Sequence, residues 1–408
     1  MGGDNMSTIG LFAGIAGIEL GLADAGIETE LLCENDPGAV AVLRHHFPDV
    51  RRHLDIRTLR SLPKVDLVTA GFPCQDLSQA GRTAGIGGER SGLVDHALRL
   101  VQRRRGGPRW LLLENVPFML QLDRGKAMRH LVDALEGMGY AWAYRIVDAR
   151  AFGLPQRRLR VVLLASRTAD PRPVLFADQA TAPAQADSDA HDCGFYWTEG
   201  LRGLGWAVDA VPTLKGGSAI GIASPPAVRR VKDRALVTPG IEDAERLQGF
   251  PAGWTAPAVE AGSRSGHRWK LVGNAVSVPM ARWLGASLSN PGNYDASGDR
   301  VLNAGGPWPS AAWGHAGEVH RADVDQWPVQ ADYRHLEAFV RDPVPLSARA
   351  TAGFLSRART GNLRFIPGFL DDVAAHLHAV GGDPRRQPVV AAPPISRHAT
   401  SELMSVPA

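Results

Sequence analysis

The amino-acid sequence predicts an α/β fold built on a mixed, mostly parallel sheet with helices on both faces. Short apolar strands alternate with helical segments from residue 9 to residue 165, and such alternation is typical of parallel sheets that are covered on both faces. The pattern breaks over residues 167–237, which are rich in Pro, Gly, Ala and Asp. This change indicates a second, smaller and irregular domain.

The alternating elements follow from apolar runs and from helix-start signals. Asp36-Pro37 begins a helix, because Asp is a favoured N-cap and Pro fits the first helical position. The strands are expected at 9–12, 29–34, 65–70, 110–113, 141–148 and 159–165. The helices are expected at 18–25, 37–46, 93–104 and 127–138, with a short helix ahead of Arg246 and another at 279–289.

The last part of the chain, residues 291–408, has a different character. Helical patterns occur at 332–341 and 368–379, and Trp308, Trp313 and Trp327 indicate packed structure. The Pro/Ala-rich tail 383–408 is expected to be disordered. No function follows from this region.

Composition excludes several classes of protein. With 408 residues, 44% hydrophobic and 21% charged, the chain has a globular composition and room for two or three domains. It has no apolar run near the roughly 20 residues that span a membrane, and its first residues lack a secretory pattern. Three cysteines without paired spacing favour a reducing compartment, so we expect a cytoplasmic protein. The net charge of +3 decides nothing about a nucleic-acid partner.

A glycine-rich turn joins the first strand to the first helix. Its sequence FAGIAGIELGL places Gly14 and Gly17 in G-x-x-G spacing, which fits poorly to the G-x-G-x-x-G of dinucleotide-binding proteins. Glu34 ends the second strand, 20 residues after Gly14, where a carboxylate can accept ribose hydroxyls. Asp55 follows the third strand and could accept an adenine amino proton. These residues suit NAD or S-adenosylmethionine (AdoMet), and the spacing disfavours a dehydrogenase.

The stretch GFPCQDLSQAG, residues 71–81, places Cys74 directly after Phe-Pro at the end of a buried strand. A cysteine that only packs in a core needs neither the rigid proline before it nor the polar, small residues after it. A nucleophile needs both. No second cysteine lies nearby, which argues against a redox pair.

Six motifs in order resemble those of the DNA cytosine-5 methyltransferases. The glycine turn and GFPCQDLSQAG are followed by Glu114-Asn115-Val116, GLPQRRLR at 153–160, RLQGFP at 246–251 and GNAVSVPMARWLG at 273–285. The resemblance covers about 8–290 except 167–237, and it implies a Rossmann-like class I AdoMet-dependent methyltransferase fold. It divides the chain into a catalytic AdoMet-binding domain at 1–166 completed by 270–290, a target-recognition domain at 167–245, a return to the catalytic domain at 246–290, and a C-terminal extension at 291–408.

Cytosine chemistry explains the residue types in these motifs. C5 of cytosine is too electron-poor to attack a methyl donor, and a thiolate that adds to C6 makes C5 nucleophilic. Cys74 would be that thiolate, and Glu114 would protonate N3 if burial keeps a proton on it. Arg158 and Arg160 lie two residues apart on a strand and so face the same side. The resemblance implies that they line the catalytic pocket, while Arg157 points elsewhere.

The resemblance also implies the AdoMet-binding residues. They are Phe12, Gly14, Gly17, Glu34, Asn35, Asp55, Ile56, Phe72, Pro73 and Asn274. Two positions depart from the common pattern, since Ala16 stands where many members have Gly and Ala275 where Ser is frequent. Both substitutions are small, so cofactor binding is still expected.

The implied substrate is double-stranded DNA, from which the target cytosine must be flipped before a thiol can reach C6. A loop at 79–88 with small residues could close over the flipped base. Thr213-Leu214 resembles the short marker of the target-recognition domain. The DNA-contact candidates are Ser78, Gln79, Arg82, Arg202, Lys215, Arg229 and Arg230.

Alternative functions are kept open at this point. The same chemistry could act on tRNA, although the long insertion at 167–237 favours DNA. A catalytically idle DNA-binding protein is disfavoured by the intact Cys74, Glu114, Arg158 and Arg160. We expect a monomer without a metal or membrane association, acting beside a cognate restriction or phage-defence system.

Overall fold

The computed structural model describes residues 6–72, 92–104, 106–201, 203–216, 223–303 and 305–383. The strands of its largest sheet are β1 (Ser7–Leu11), β2 (Glu28–Cys33), β3 (Arg51–His53), β4 (Leu67–Gly71), β5 (Trp110–Asn115), β6 (Ala141–Asp148), β8 (Leu159–Ser166), β14 (Arg300–Val301), β15 (Ala311–His315) and β16 (Glu318–Arg321). The smaller strands are β7 (Gln156–Arg157), β9 (Cys193–Phe195), β10 (Ala207–Val208), β11 (Val211–Pro212), β12 (Ala227–Arg229), β13 (Leu236–Thr238) and β17 (Val344–Pro345).

The largest sheet has the order β14-β16-β15-β6-β8-β5-β4-β1-β2-β3. Strands β3, β2, β1, β4 and β5 pair in parallel, and the pairs from β5 to β14 are antiparallel. The sheet is mixed, as predicted, and its antiparallel half is extended by three strands from the C-terminal extension. The strand order reverses between β1 and β4, and ligands of open α/β sheets bind at the carboxyl ends of strands at such a point.

Helices cover both faces of this sheet. The described helices of the whole structure are α1 (Gly17–Ala23), α2 (Pro37–His46), α3 (Leu93–Arg103), α4 (Lys126–Gly137), α5 (Arg172–Phe176), α6 (Ile241–Leu247), α7 (Ala256–Glu260), α8 (His267–Asn274), α9 (Val278–Ser289), α10 (Ala348–Thr360) and α11 (Phe369–Ala379). Apolar residues of α3 and α4 fill one face, and those of α1, α5 and α9 fill the other. Asp36 caps α2 as expected, because its Oδ1 accepts the backbone N–H groups of Gly38 and Ala39.

A second sheet of five short antiparallel strands has the order β10-β9-β12-β13-β17. Its strands are two or three residues long, which explains why no strand periodicity is visible in 167–237. The edge strand β17 and helices α10 and α11 come from the C-terminal extension, and the two helices share a core with Phe195 and Leu236. The extension is therefore integral to both sheets.

The expected helix at 332–341 is wrong, whereas the helix at 368–379 is confirmed as α11. Only Leu336–Ala338 forms a short 3₁₀ turn. The Leu336 N–H donates to the side chain of Asp209 and the Tyr333 hydroxyl donates to the Asp209 carbonyl. The Leu336 N–H is therefore used by a distant side chain instead of by the backbone carbonyl that a longer helix would supply.

The tail at 384–408 lies outside the described residues. Cys33 and Cys193 are buried free thiols, and burial raises the pKa of each to about 12. Within the described ranges, we find no helix with the length and apolarity to cross a membrane.

A buried arginine of the second sheet pairs with an aspartate of the extension. Arg229, only 1% exposed, lies with its Nε 2.7 Å from Oδ2 of Asp372 on α11. Removing one partner of a buried pair leaves the other charge without compensation. We expect Asp372→Ala to lower the free energy of unfolding by about 3 kcal/mol, measured by urea denaturation. The neighbouring exposed Asp371, changed to Ala, is the control and should change stability by less than about 0.5 kcal/mol; equal effects of the two changes would contradict the assignment.

A buried carboxyl lies beneath the first glycine turn. Glu19 on α1 accepts the Thr69 hydroxyl at 2.9 Å, and burial raises its pKa from 4.5 to about 7. The unfolded chain therefore releases this proton at lower pH than the folded chain does. Stability should fall as pH rises from about 4.5 to 7 and level off above, by at most about 3 kcal/mol.

Glu19→Gln should remove this part of the pH dependence. We expect its free energy of unfolding, relative to the native sequence, to improve between pH 5 and pH 8 in denaturant titrations. The exposed Glu30→Gln serves as the control and should follow the native protein at both pH values. A constant difference between Glu19→Gln and the native protein would show that Glu19 does not titrate in this range.

Candidate active site

A cavity of about 350 Å³ opens at the carboxyl ends of β1, β2 and β4, beside the point where the strand order reverses. Its size is within the range of small-molecule sites. Seven of the ten predicted cofactor residues line it: Phe12, Gly14, Glu34, Asn35, Asp55, Ile56 and Asn274. The remaining lining residues are Cys33, Asp36, Ala39, Leu54, Gly71, Leu93, Lys270, Leu271 and Ala275.

Glu34 is fixed by backbone donors at the end of β2. One carboxylate oxygen accepts the Gly14 N–H at 2.8 Å, and the other accepts the N–H groups of Asn35 and Asp36, each at 2.8 Å. The side chain thus links the glycine turn to the loop after β2. A carboxylate held at this position is suited to accept the hydroxyl groups of a ribose.

Asp55 lies on the far wall of the cavity with a local partner. Arg57 holds its carboxylate through Nε and Nη2, the latter 2.6 Å from Oδ2. These hydrogen bonds lower the pKa of Asp55 to about 2, so the side chain is an anion at neutral pH. Ile56 beside it is buried and gives this end of the cavity an apolar surface.

The glycine turn has backbone angles that explain its composition. Gly14 has φ +56° and Ala16 has φ 63°, a region that residues with a Cβ rarely adopt. Ala16 therefore has a backbone conformation that glycine would adopt with less strain. The family that the sequence resembles often has glycine at this position. Gly17 does not line the cavity. It lies so close to the Val276 carbonyl oxygen that a Cβ on residue 17 would come within 2.2 Å of it. Its role here is close packing of α1 against the chain before α9.

Phe72 is buried after β4 and does not line the cavity. Its carbonyl accepts the Asn115 side-chain N–H at 2.9 Å, while Asn115 Oδ1 accepts the Val116 N–H at 2.8 Å. Asn115 therefore fixes the chain one residue before Pro73-Cys74. The predicted residues Pro73, Cys74, Ser78, Gln79, Arg82 and Arg202, and the loop 79–88, lie outside the described residues.

Glu114 is the last-but-one residue of β5, which places its side chain at the same edge of the sheet as the cavity. It is 8% exposed, and Arg160 Nε lies 2.8 Å from its Oε1. Among the described residues, no N–H is directed at this oxygen well enough for a hydrogen bond. Oε2 faces Gly71, where a Cβ would lie 3.6 Å away. Because Gly71 also lines the cavity, the carboxyl group and the cavity are neighbours.

Arg158 and Arg160 are both buried and Arg157 is exposed, as the alternation predicted. Burial lowers the pKa of both arginines, and for Arg158 the charge of Arg160 acts in the same direction. Arg158 donates to the backbone carbonyls of Gly273 and Ala275 at 3.2 and 2.6 Å. It therefore holds the segment between α8 and α9, while Arg160 faces Glu114.

Sequence reasoning missed a buried amide network. The Gln156 side chain donates to the Leu247 carbonyl and to Gln248 Oε1, and Gln248 accepts the Ser277 hydroxyl at 2.9 Å. These residues come from three separate motifs, which are thus joined at one point. The signal was a glutamine inside each of two motifs, but neither residue by itself indicates the other as its partner.

Lys270 was also missed. It lies on α8 four residues before Asn274, so both side chains are on the same face of the helix and both line the cavity. Its Nζ lies 2.9 Å from Asp36 Oδ2. The i,i+4 spacing to Asn274 could have indicated it.

The predicted DNA contacts in the second sheet differ in accessibility. Lys215 is exposed, over the ring of Tyr196 and paired with Glu199. Arg230 is partly exposed and paired with Asp233. The prediction that Arg229 contacts DNA is wrong. Its side chain is buried against Asp372, so it holds the extension and is not accessible to DNA.

Comparison with known proteins identifies the family. Residues 6–191 match the family of C-5 cytosine-specific DNA methylases. The Type II methyltransferase M2.BsuMI of Bacillus subtilis (strain 168) is 49% identical over 381 residues, which is 90% of this chain and 97% of that protein. The Type II methyltransferase M.BsuFI of Bacillus subtilis is 36% identical over 164 residues, 40% of this chain and 39% of that protein.

Among solved structures, the Dnmt2 methyltransferase of S. pombe aligns with a TM-score of 0.50 at 17% identity, covering 70% of this chain and 97% of that one. At this identity the likeness concerns the fold alone, and it supports the Rossmann-like α/β fold. The identity to M2.BsuMI over nearly its whole length is the stronger finding. The chain belongs to the C-5 cytosine-specific DNA methylase family.

Proposed function

We propose that this protein is a Type II DNA methyltransferase that transfers a methyl group from AdoMet to C5 of a cytosine flipped out of double-stranded DNA. The observation that carries the proposal is the position of Gly71 between the cavity and Glu114. Gly71 lines the nucleotide-sized cavity on one side and faces the Glu114 carboxyl group on the other. A methyl donor and a pyrimidine could therefore meet at the end of β4, from which the chain continues to Cys74.

The residues of the cavity fit AdoMet. The carboxylate of Glu34 would accept the ribose hydroxyls, and the anionic Asp55 beside the apolar Ile56 would hold the adenine. Gly14 has no atom within 4 Å of the position its Cβ would occupy, so the turn leaves room for a ligand. Phe12, Asn35 and Asn274 would complete the walls, and bound AdoMet supplies the methyl group.

The polar residues at the edge of the cavity suit the activation of cytosine. The Cys74 thiolate adds to C6, and the electron pair displaced toward N3 is neutralised by a proton from Glu114. C5 then carries enamine character and takes the methyl group. Loss of the C5 proton to water, expulsion of the Cys74 thiolate and return of the N3 proton to the Glu114 carboxylate would restore the aromatic base and the free enzyme.

The two arginines would have different tasks. Arg160, in contact with Glu114, would bind the cytosine carbonyl and keep Glu114 oriented, because a guanidinium can hold two acceptors in one plane. Arg158 acts as a positioning residue, since its Nη1 donates to the Leu214 carbonyl and its Nη2 donates to the Gly273 and Ala275 carbonyls.

DNA would bind across the edge that carries Glu114. Phe118, 59% exposed three residues after Asn115, lies where an apolar ring could contact a base. Lys215 and Arg230 would contact phosphates, which position DNA without specifying sequence. Ser78, Gln79, Arg82 and Arg202 remain proposals from the sequence, as does the division into catalytic and target-recognition domains. We also propose that a restriction or defence system accompanies this enzyme.

The test is a covalent trap. Duplexes that carry 5-fluorocytosine in many sequence contexts are incubated with the protein and labelled AdoMet. Fluorine blocks the final elimination, so the active enzyme should remain attached to labelled DNA through Cys74, and sequencing the trapped DNA gives the recognition site. A protein that binds AdoMet but traps no DNA would contradict the proposal; methylation of tRNA in a parallel assay would then identify the other substrate class.

A further inference from the structure

A cluster of two histidines and one aspartate lies away from the catalytic edge. His191 and Asp209 belong to the region of the second sheet, and His335 belongs to the C-terminal extension. Their ligand atoms all lie within 4.8 Å of one another, and the two imidazole rings are 5.0 Å apart. From this arrangement we propose that His191, Asp209 and His335 bind a divalent metal ion of the zinc type, which fastens the extension to the second sheet.

Asp209 is presented as a ligand by the surrounding backbone. It is 4% exposed and has φ 50°, a left-handed conformation that Asp tolerates better than most residues. Its Oδ1 accepts the Leu336 N–H at 2.9 Å and its carbonyl accepts the Tyr333 hydroxyl. These bonds leave Oδ2 directed toward His335, whose Nδ1 is 2.7 Å away.

His191 has the second contact that metal-binding histidines use. Its Nδ1 lies 3.1 Å from the Asp187 carbonyl oxygen, so a proton on Nδ1 fixes the ring and leaves Nε2 as a free lone pair. A ligating histidine commonly donates its other ring N–H to a carbonyl or carboxylate in this way. The Asp187 carbonyl therefore selects the tautomer that can bind a metal.

The spacing and the donor types favour a four-coordinate ion with an open position. Metal–ligand bonds of about 2.0–2.1 Å in a tetrahedron place the ligand atoms roughly 3.3 Å apart. Asp209 Oδ2 and His335 Nδ1 lie 2.7 Å apart as a hydrogen-bonded pair, which is closer than this spacing. The His335 side chain is 59% exposed, so its ring can shift and admit an ion in place of the shared proton. Two neutral imidazoles and one carboxylate suit zinc, with water as the fourth ligand.

The position of the site explains what a bound ion would do. Asp209 lies two residues before β11, which pairs in parallel with β7 of the GLPQRRLR motif. Leu336 is buried in the core that contains Leu154 and Val211. A metal bridging His335 to Asp209 would hold the extension against the strand that connects the second sheet to the catalytic motif.

The test uses the full chain, produced without a polyhistidine tag and freed of metal by a chelator. Zinc is titrated calorimetrically, and cobalt(II) is titrated by visible absorption, which reports tetrahedral coordination. We expect one ion per chain, with binding at least tenfold weaker in His335→Ala and in His191→Ala. The exposed His315→Ala on β15 is the matched control and should bind as the native protein does.

Two results would overturn the proposal: absence of saturable one-to-one binding in the native chain, or binding unchanged in either His335→Ala or His191→Ala. Thermal unfolding of each variant without metal shows that it is folded, which is expected for the exposed His335. Zinc should raise the unfolding temperature of the native chain and of His315→Ala, and leave that of His335→Ala unchanged. The methylation assay is independent of these readouts, so failure of the metal proposal and failure of the proposed function are separate outcomes.

Discussion

Cys74→Ala is expected to reduce methyl transfer by at least about 10³-fold, because the pathway loses the nucleophile that makes C5 reactive. AdoMet binding should persist, since Glu34 and the other described residues of the cavity are unchanged. The measurement is single-turnover transfer of labelled methyl groups to duplex DNA, together with the covalent trap on 5-fluorocytosine DNA. Both signals should disappear in the same variant while DNA binding remains.

The matched control is Cys193→Ala. Cys193 is buried in β9 of the second sheet, and burial raises its pKa to about 12, so it stays a thiol and cannot act as a nucleophile at neutral pH. Its alanine variant should retain both methyl transfer and the trapped adduct. Substantial turnover by Cys74→Ala would eliminate the covalent mechanism through Cys74. Loss of the adduct only in Cys193→Ala would identify Cys193 as the nucleophile instead.

Glu114→Gln should lower single-turnover methylation by about 10²- to 10⁴-fold, the range of a general acid. Gln keeps the shape of the side chain but supplies no carboxyl proton to N3. The change also replaces the carboxyl group that faces Arg160 at 2.8 Å by an amide, a weaker partner for a buried guanidinium, and this lowers stability by about 1–3 kcal/mol. The assay is therefore run well below the unfolding temperature of the variant.

Two readouts separate catalysis from folding in this variant. AdoMet binding, measured calorimetrically, should stay within a few-fold of the native value if the sheet edge is intact. The exposed Glu30→Gln on β2 should leave methylation unchanged. If Glu114→Gln turned over near the native rate, Glu114 would have no role as the acid, and Arg160 would be the remaining described side chain at that edge to examine.

Local patterns in the sequence were sufficient for much of the fold. The Asp36-Pro37 start of α2 and the strand β2, which ends just before Glu34, depend on residues close in the chain, so a single sequence reveals them. The alternation of Arg158 and Arg160 depends on the two-residue period of a strand, and both side chains are buried as expected. The helix predicted at 368–379 also depends on a local pattern, and the structure has it as α11 (Phe369–Ala379).

The tertiary structure decided what depends on partners distant in sequence. The extension adds β14, β15 and β16 to the main sheet, and nothing in those short strands indicates β6 as their neighbour. Arg229 resembled a surface cation until its ion pair with Asp372, 143 residues away, was seen.

The sequence by itself determined the family, and seven of its ten predicted cofactor residues line one cavity, because motifs keep such groups on short, continuous segments. Only the tertiary structure decided which residue lies beside which across those segments. It joined Gln156 to Gln248, directed Arg160 to Glu114 rather than to solvent, and brought His335 to Asp209 from 126 residues away. The physical reason is that these pairings depend on the packing of whole elements, which minimises unpaired buried polar groups and has no signature in any local period.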